Sequence, residues 1–103
     1  MKTLVEIRHQ LATGNFEFSR HAFHRAVERN ISEIEIRQAG AEAAIIEDYP
    51  HDKYSPSCLL LGFTLAGRPL HIQVSYADTD LVKIITIYQP HEAEWYNGYT
   101  RRR

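Results

Sequence analysis

The stretch Pro69-Leu70-His71-Ile72-Gln73-Val74-Ser75-Tyr76 constrains the fold of this chain most strongly, because apolar and polar residues alternate along it without a break. Side chains of a strand point by turns to the two faces of a sheet. Leu70, Ile72, Val74 and Tyr76 therefore face a core, and His71, Gln73 and Ser75 face the other way, toward an open sheet surface. Such a strand needs partners. Ser57 to Leu65 is an apolar run bounded by Pro56 and by the turn Ala66-Gly67, and Leu81 to Tyr88 is apolar on both faces, as an inner strand would be. Ala44 to Tyr49, with the β-branched pair Ile45 and Ile46, reads as a further short strand ended by Pro50.

Helical spacing dominates the chain before Ala44. Leu4, Ile7 and Leu11 mark an amphipathic helix over residues 3 to 13, with Gly14 suited to a left-handed end. Phe16 and Phe18 flank Glu17 in a brief extended piece. Ser19 is a good N-cap for a second helix that Asn30 stops, with Ala22, Phe23, Ala26 and Val27 on its buried side. Ser32 and Glu35 have capping-box spacing, so a third helix is expected from about Glu33 to Ala43, stapled by Ile31. At the other end, His91 to Asn97 is expected as a last short helix with Trp95 reaching back to the sheet, followed by a frayed, cationic Thr100-Arg101-Arg102-Arg103. The expected architecture is α+β: N-terminal helices packed on an antiparallel sheet of about four strands, one domain over residues 1–103.

The 103 residues are 44% apolar and 24% charged, the balance of an ordinary globular chain. The net charge is −1, so attraction to nucleic acid has to come from local clusters of arginine. Cys58 is the sole cysteine, which excludes a disulfide within the chain and fits a reducing compartment. Its place in an apolar strand marks it as inert packing. The apolar runs are short and Met1-Lys2-Thr3-Leu4 does not open a signal-peptide core, so a cytoplasmic location without membrane contact is expected.

Phe18 to Asn30 holds two histidines and three arginines. Imidazole and guanidinium suit phosphate chemistry, one titrating near neutral pH and the other forking onto phosphate oxygens. At i, i+4 and i+8, His21, Arg25 and Arg29 form a row of donors; the plainer reading pairs the arginines with Glu28, Glu33 or Glu35 on a solvated surface. If the strands register so that Thr86 and Tyr88 join His71 and Gln73, one sheet face carries an imidazole, an amide, a hydroxyl and a phenol. That set suits RNA cleavage without a metal: a base for the ribose 2′-hydroxyl, a cation for the phosphate, an acid for the departing 5′-oxygen. His71 or His21 is the candidate base or acid, Arg25, Arg29 or Lys53 the cation, and Tyr88 the group that orients the phosphate or donates a proton. Lys53 and Gln73 are expected to touch RNA. His21 and His24 stand three apart with no further ligand pair, so neither a metal nor another cofactor is expected. Tyr49, Tyr54, Tyr76, Tyr96 and Tyr99 receive no site role, and Arg101-Arg102-Arg103 reads as a solvated run.

The pieces Ser19-x-His21-Ala22-x-x-Arg25, Glu28-Arg29-x-Ile31-Ser32, Ile46-Glu47-Asp48-Tyr49-Pro50, Gly67-Arg68-Pro69-Leu70-His71-Ile72 and Ile87-Tyr88-x-Pro90 span most of the chain. Through them it resembles a family of small bacterial domains of unknown function that look related to RelE- and MqsR-type toxins. The resemblance implies a RelE-like fold and the toxin of a toxin–antitoxin pair, a ribonuclease acting on messenger RNA, free or on the ribosome. It also implies a small zinc-finger antitoxin as partner. The alternative is a non-catalytic protein-interaction module, with the arginine helix and the arginine tail binding an acidic protein.

Overall fold

The computed structural model describes residues 1–103. Three helices, α1 (Leu4–Ala12), α2 (Arg20–Glu28) and α3 (Glu33–Ala41), begin where a hydroxyl can replace a missing helical acceptor. Thr3, Ser19 and Ser32 stand in extended backbone and accept from the amides of Glu6, Ala22 and Glu35. At Ser32 the reciprocal bond from its own amide to the Glu35 carboxylate completes the capping box. Left-handed residues end the first two helices, Gly14 at φ 79° and Asn30 at φ 52°. After α2 the amides of Asn30 and Ile31 donate back to Val27 and Ala26, and Ile31 and Ala26 are both buried in the core, in keeping with the apolar contact that often accompanies such a cap.

The strands are β1 (Phe16–Phe18), β2 (Ala44–Tyr49), β3 (Ser57–Phe63), β4 (Pro69–Ser75) and β5 (Val82–Tyr88), in spatial order β1-β5-β4-β3-β2. β2 to β5 form an antiparallel meander, while β1 runs parallel to β5. The sheet is thus five-stranded and mixed, not an antiparallel sheet of about four. The Phe16–Phe18 piece is its edge strand, and α2 is part of the long return that a parallel pairing demands.

All three helices lie on one face of this sheet. The core there joins Ile7, Leu11, Ala22, Ala26, Ile36 and Ala39 to Leu60, Leu70, Ile72, Val74, Ile84 and Ile87. A bulge in β5 makes this possible: Val74 pairs with Ile84 and Ile72 with Ile87, so the extra residue Ile85 lets two isoleucines an odd number apart share the core face. α2 enters the core only through Ala22 and Ala26, and Phe23 and Val27, expected to be buried, are 53% and 63% exposed. Small residues let the helix sit close to the sheet and leave its larger side chains outside. Close approach also explains Gly62, where a Cβ would lie 2.0 Å from the Ala39 carbonyl oxygen of α3.

The opposite face is covered too. Residues 95–96 (β6, Trp95–Tyr96) and 101–102 (β7, Arg101–Arg102) pair as a small hairpin in place of the expected helix and frayed tail. The hairpin lays Trp95 over the sheet, where Leu59 and Leu61 are also buried. No helix is long and apolar enough to cross a membrane.

Candidate functional site

The β5 bulge that serves the core also sets the other face. His71 lies opposite Tyr88 and Gln73 opposite Thr86, as the conditional register required. The expectation of an open surface fails at His71, whose side chain has no exposure at all. The Trp95 ring packs edge-on against the imidazole, with centroids 4.3 Å apart.

His71 is bonded at both nitrogens. Nε2 lies 2.8 Å from the carbonyl oxygen of Tyr99, and Nδ1 lies 3.0 Å from the Tyr88 hydroxyl. A carbonyl only accepts, so Nε2 carries the hydrogen; in the neutral ring Nδ1 is then bare, and the phenol donates to it. Burial holds His71 below its ordinary imidazole range and outweighs the Tyr99 carbonyl and the Glu47 charge, which act in the opposite sense. Burial likewise raises the Tyr88 phenol.

Tyr88 is one wall of a cleft of about 740 Å³ that opens beside the hairpin. Arg29, Tyr49, Arg68, Gln73, His91 and Arg102 also line it. Arg29 donates to the Ile87 carbonyl at 2.7 Å, which fixes its guanidinium next to Tyr88. Arg68 is more fully engaged: it donates to both oxygens of Glu35, to the carbonyls of Arg29 and Asn30, and to Gln89. Arg102 forks onto Glu47 at 3.0 and 3.1 Å and lies over the Trp95 ring. Burial raises the Glu47 carboxyl, but the Arg102 fork and a hydrogen bond from Tyr49 bring it below the usual carboxylate range. Burial and then Glu47 push the Tyr49 phenol up.

Of the residues singled out from sequence, Arg29, Gln73 and Tyr88 meet in this cleft and His71 lies beneath its wall. His21 and Arg25 do not line it; His21 is exposed, and Arg25 pairs with Glu28 at 3.0 Å. The row of three donors is thus divided, with Arg29 at the cleft and the other two on the solvated helix surface. Lys53 is exposed beside Tyr54, outside the cleft lining. Gln73 donates to Ser57 and, at 3.5 Å, to Asp52, so much of its amide is already engaged. No three histidine, cysteine or carboxylate side chains converge as a metal-ligand set. Cys58 is buried on the core side and its thiol is pushed up to about 11 by that burial.

Sequence reasoning missed Glu47, Tyr49, His91, Trp95 and Arg102. Glu47 and Tyr49 were within reach, since residues two apart on β2 share a face. The other three come from a segment with no periodic signal.

A small α+β domain with an arginine- and tyrosine-lined cleft on the helix-free face of its sheet is what the fold defines. The chain belongs to the family described as a domain of unknown function, DUF4258, whose model matches residues 18–89. That span runs from the end of β1 just past β5, and leaves α1 and the 91–103 segment outside it. No curated protein and no solved structure matches the chain.

Proposed function

We propose that this protein is a RelE-like toxin of a toxin–antitoxin pair, a metal-independent endoribonuclease acting on messenger RNA. The observation that carries the reading is the Tyr88–His71 pair: a phenol at the cleft whose hydrogen is already aimed at a buried, bare imidazole nitrogen. In the reaction the ribose 2′-oxygen attacks the adjacent phosphorus, and the bond from phosphorus to the 5′-oxygen breaks. The 2′-hydroxyl proton passes to the Tyr88 oxygen as the Tyr88 proton passes to Nδ1 of His71. Arg29, held beside Tyr88, stabilises the charge gathering on the phosphate, and Arg102 is a second cation on the cleft wall. His91, an imidazole lining the same cleft, is positioned to protonate the leaving 5′-oxygen. The products are a 2′,3′-cyclic phosphate and a 5′-hydroxyl. His21, Arg25 and Lys53 have no part in this scheme.

A small zinc-finger antitoxin is the proposed partner, and RNA on the ribosome the proposed setting. Net charge of −1 favours a substrate delivered or held by a larger body over free RNA captured by a basic field. A second reading, a non-catalytic protein-interaction module on the same fold, is favoured by the prior engagement of Arg68, Arg102 and Gln73 with protein groups. Induced expression without a partner separates the two. Growth arrest with degraded messenger RNA, both relieved by His71→Ala, supports the ribonuclease; normal growth with intact RNA supports the module.

A further inference from the structure

The segment from His91 to Arg103 lies outside the span that the family shares, yet it supplies the carbonyl that meets Nε2 of His71. Its backbone hydrogen bonds close within the segment itself: the β6–β7 ladder, Glu94 and Trp95 to His91, Thr100 to Tyr96, and Arg103 to Glu94. Its polar ties to the sheet include the His71 bond to the Tyr99 carbonyl and the Arg102 fork onto Glu47. Tyr99 makes its tie from the left-handed region, at φ 69°, which bulky residues seldom occupy. A strained backbone that ends on a buried imidazole has a specific consequence there.

We infer that the 91–103 strap is a positioning element: the Tyr99 carbonyl locks His71 as the Nε2–H tautomer and so leaves Nδ1 bare to receive the Tyr88 proton. Without that carbonyl, Nδ1 is free to carry the hydrogen and to donate it to the Tyr88 oxygen, reversing the hydrogen bond on which proton transfer depends. The inference rests on the reading of Tyr88 as the proton acceptor at the cleft. It adds that residues 18–89 lack a complete site without the strap. The groups facing His71 are Tyr88 from β5, Glu47 from β2, and Trp95, Tyr99 and Arg102 from the strap.

Two substitutions at one position isolate the backbone effect. Tyr99→Gly removes the side chain but keeps the left-handed conformation, whereas Tyr99→Pro removes the same side chain and forbids it, because the ring fixes φ near −65°. Nitrogen-15 spectra of the full chain report the His71 tautomer without any RNA. In the wild type and in Tyr99→Gly, His71 should show a protonated Nε2 and a bare Nδ1. In Tyr99→Pro the two tautomers should mix. An Nδ1–H tautomer in the wild type overturns the inference with no variant needed. So does a Tyr99→Pro chain that keeps the Nε2–H form, or a Tyr99→Gly chain that loses it.

In RNA cleavage, Tyr99→Pro should fall by about a hundredfold or more, as His71→Ala should, with Tyr99→Gly near wild type. A wild type with the expected tautomer and no cleavage would overturn the ribonuclease reading while leaving the positioning role of the strap in place.

Discussion

Across the β4–β5 ladder the Tyr88 hydroxyl lies 3.0 Å from Nδ1 of His71, a ring with no exposure to solvent. In the proposed reaction the pair gives the cleft a proton acceptor whose base is out of reach of competing water. It also couples function to stability, because a buried nitrogen that loses its donor stays desolvated and unpaired.

Tyr88→Phe should therefore act twice. Unfolding in denaturant should show a loss of about 1–3 kcal/mol, the cost of an unsatisfied buried acceptor. RNA cleavage should fall by about 10²–10⁴-fold, the usual worth of a positioned acid–base group.

The depressed His71 imidazole makes stability depend on pH in a definite sense. Its folded value lies below the unfolded value near 6.5, so the unfolded chain binds the proton first as pH falls. Stability from this site is complete above pH 6.5 and is lost as pH falls through the window down to the folded value. The lowered Glu35 and Glu47 carboxyls add a separate loss as pH falls below about 4.5. Denaturant midpoints taken from pH 8 to pH 5 should decline for the wild type more steeply than for His71→Gln.

Arg68 reaches from the start of β4 to the first turn of α3, where its Nη1 is 3.1 and 2.9 Å from the two Glu35 oxygens. Glu35 is held low first by the Ser32 amide of the capping box and then by Arg68, so one carboxylate serves both the helix end and the arginine. Arg68→Ala should cost about 2–3 kcal/mol, since it strips charged hydrogen bonds from a group only one-quarter exposed. Ser32→Ala should cost about 1 kcal/mol. The double variant should lose less than the sum, because both act through Glu35.

Gly62 has no room for a side chain. A methyl group there meets the α3 backbone at Ala39, where nothing can rotate away. Gly62→Ala should destabilise the fold by about 3 kcal/mol, measured as a fall in thermal midpoint.

Local signals in the sequence carried much of the architecture. Ser19 and Asn30 bracketed the second helix, the Ser32/Glu35 spacing located the third, and Ala44 to Tyr49 matches β2 at both ends. The alternation through His71 assigned each β4 residue to its face. It was silent on what covers the polar face, because the cover is a hairpin of two-residue strands too short for any period. The parallel β1–β5 pairing was hidden for a related reason: three residues pair with partners some sixty-six positions away, as Phe16 does with Val82. Phe23 and Val27 misled because hydrophobicity favours large residues, while the close seat of α2 selects Ala22 and Ala26. Tyr88, Gln73 and Arg29 were legible as site candidates from type and spacing. Trp95 was expected to reach back to the sheet, as it does, but Arg102 read only as part of a solvated run, since its pairing with Glu47 exists only once the chain has folded back.

The most direct test examines transcript ends in cells expressing this chain without a partner, beside cells expressing Tyr88→Phe at equal level. New 5′-hydroxyl and 2′,3′-cyclic phosphate ends in messenger RNA, present with the wild type and lost with Tyr88→Phe, are the expected result. Intact transcripts with the wild type, or the same ends with Tyr88→Phe, would contradict the assignment of RNA cleavage to the Tyr88–His71 pair.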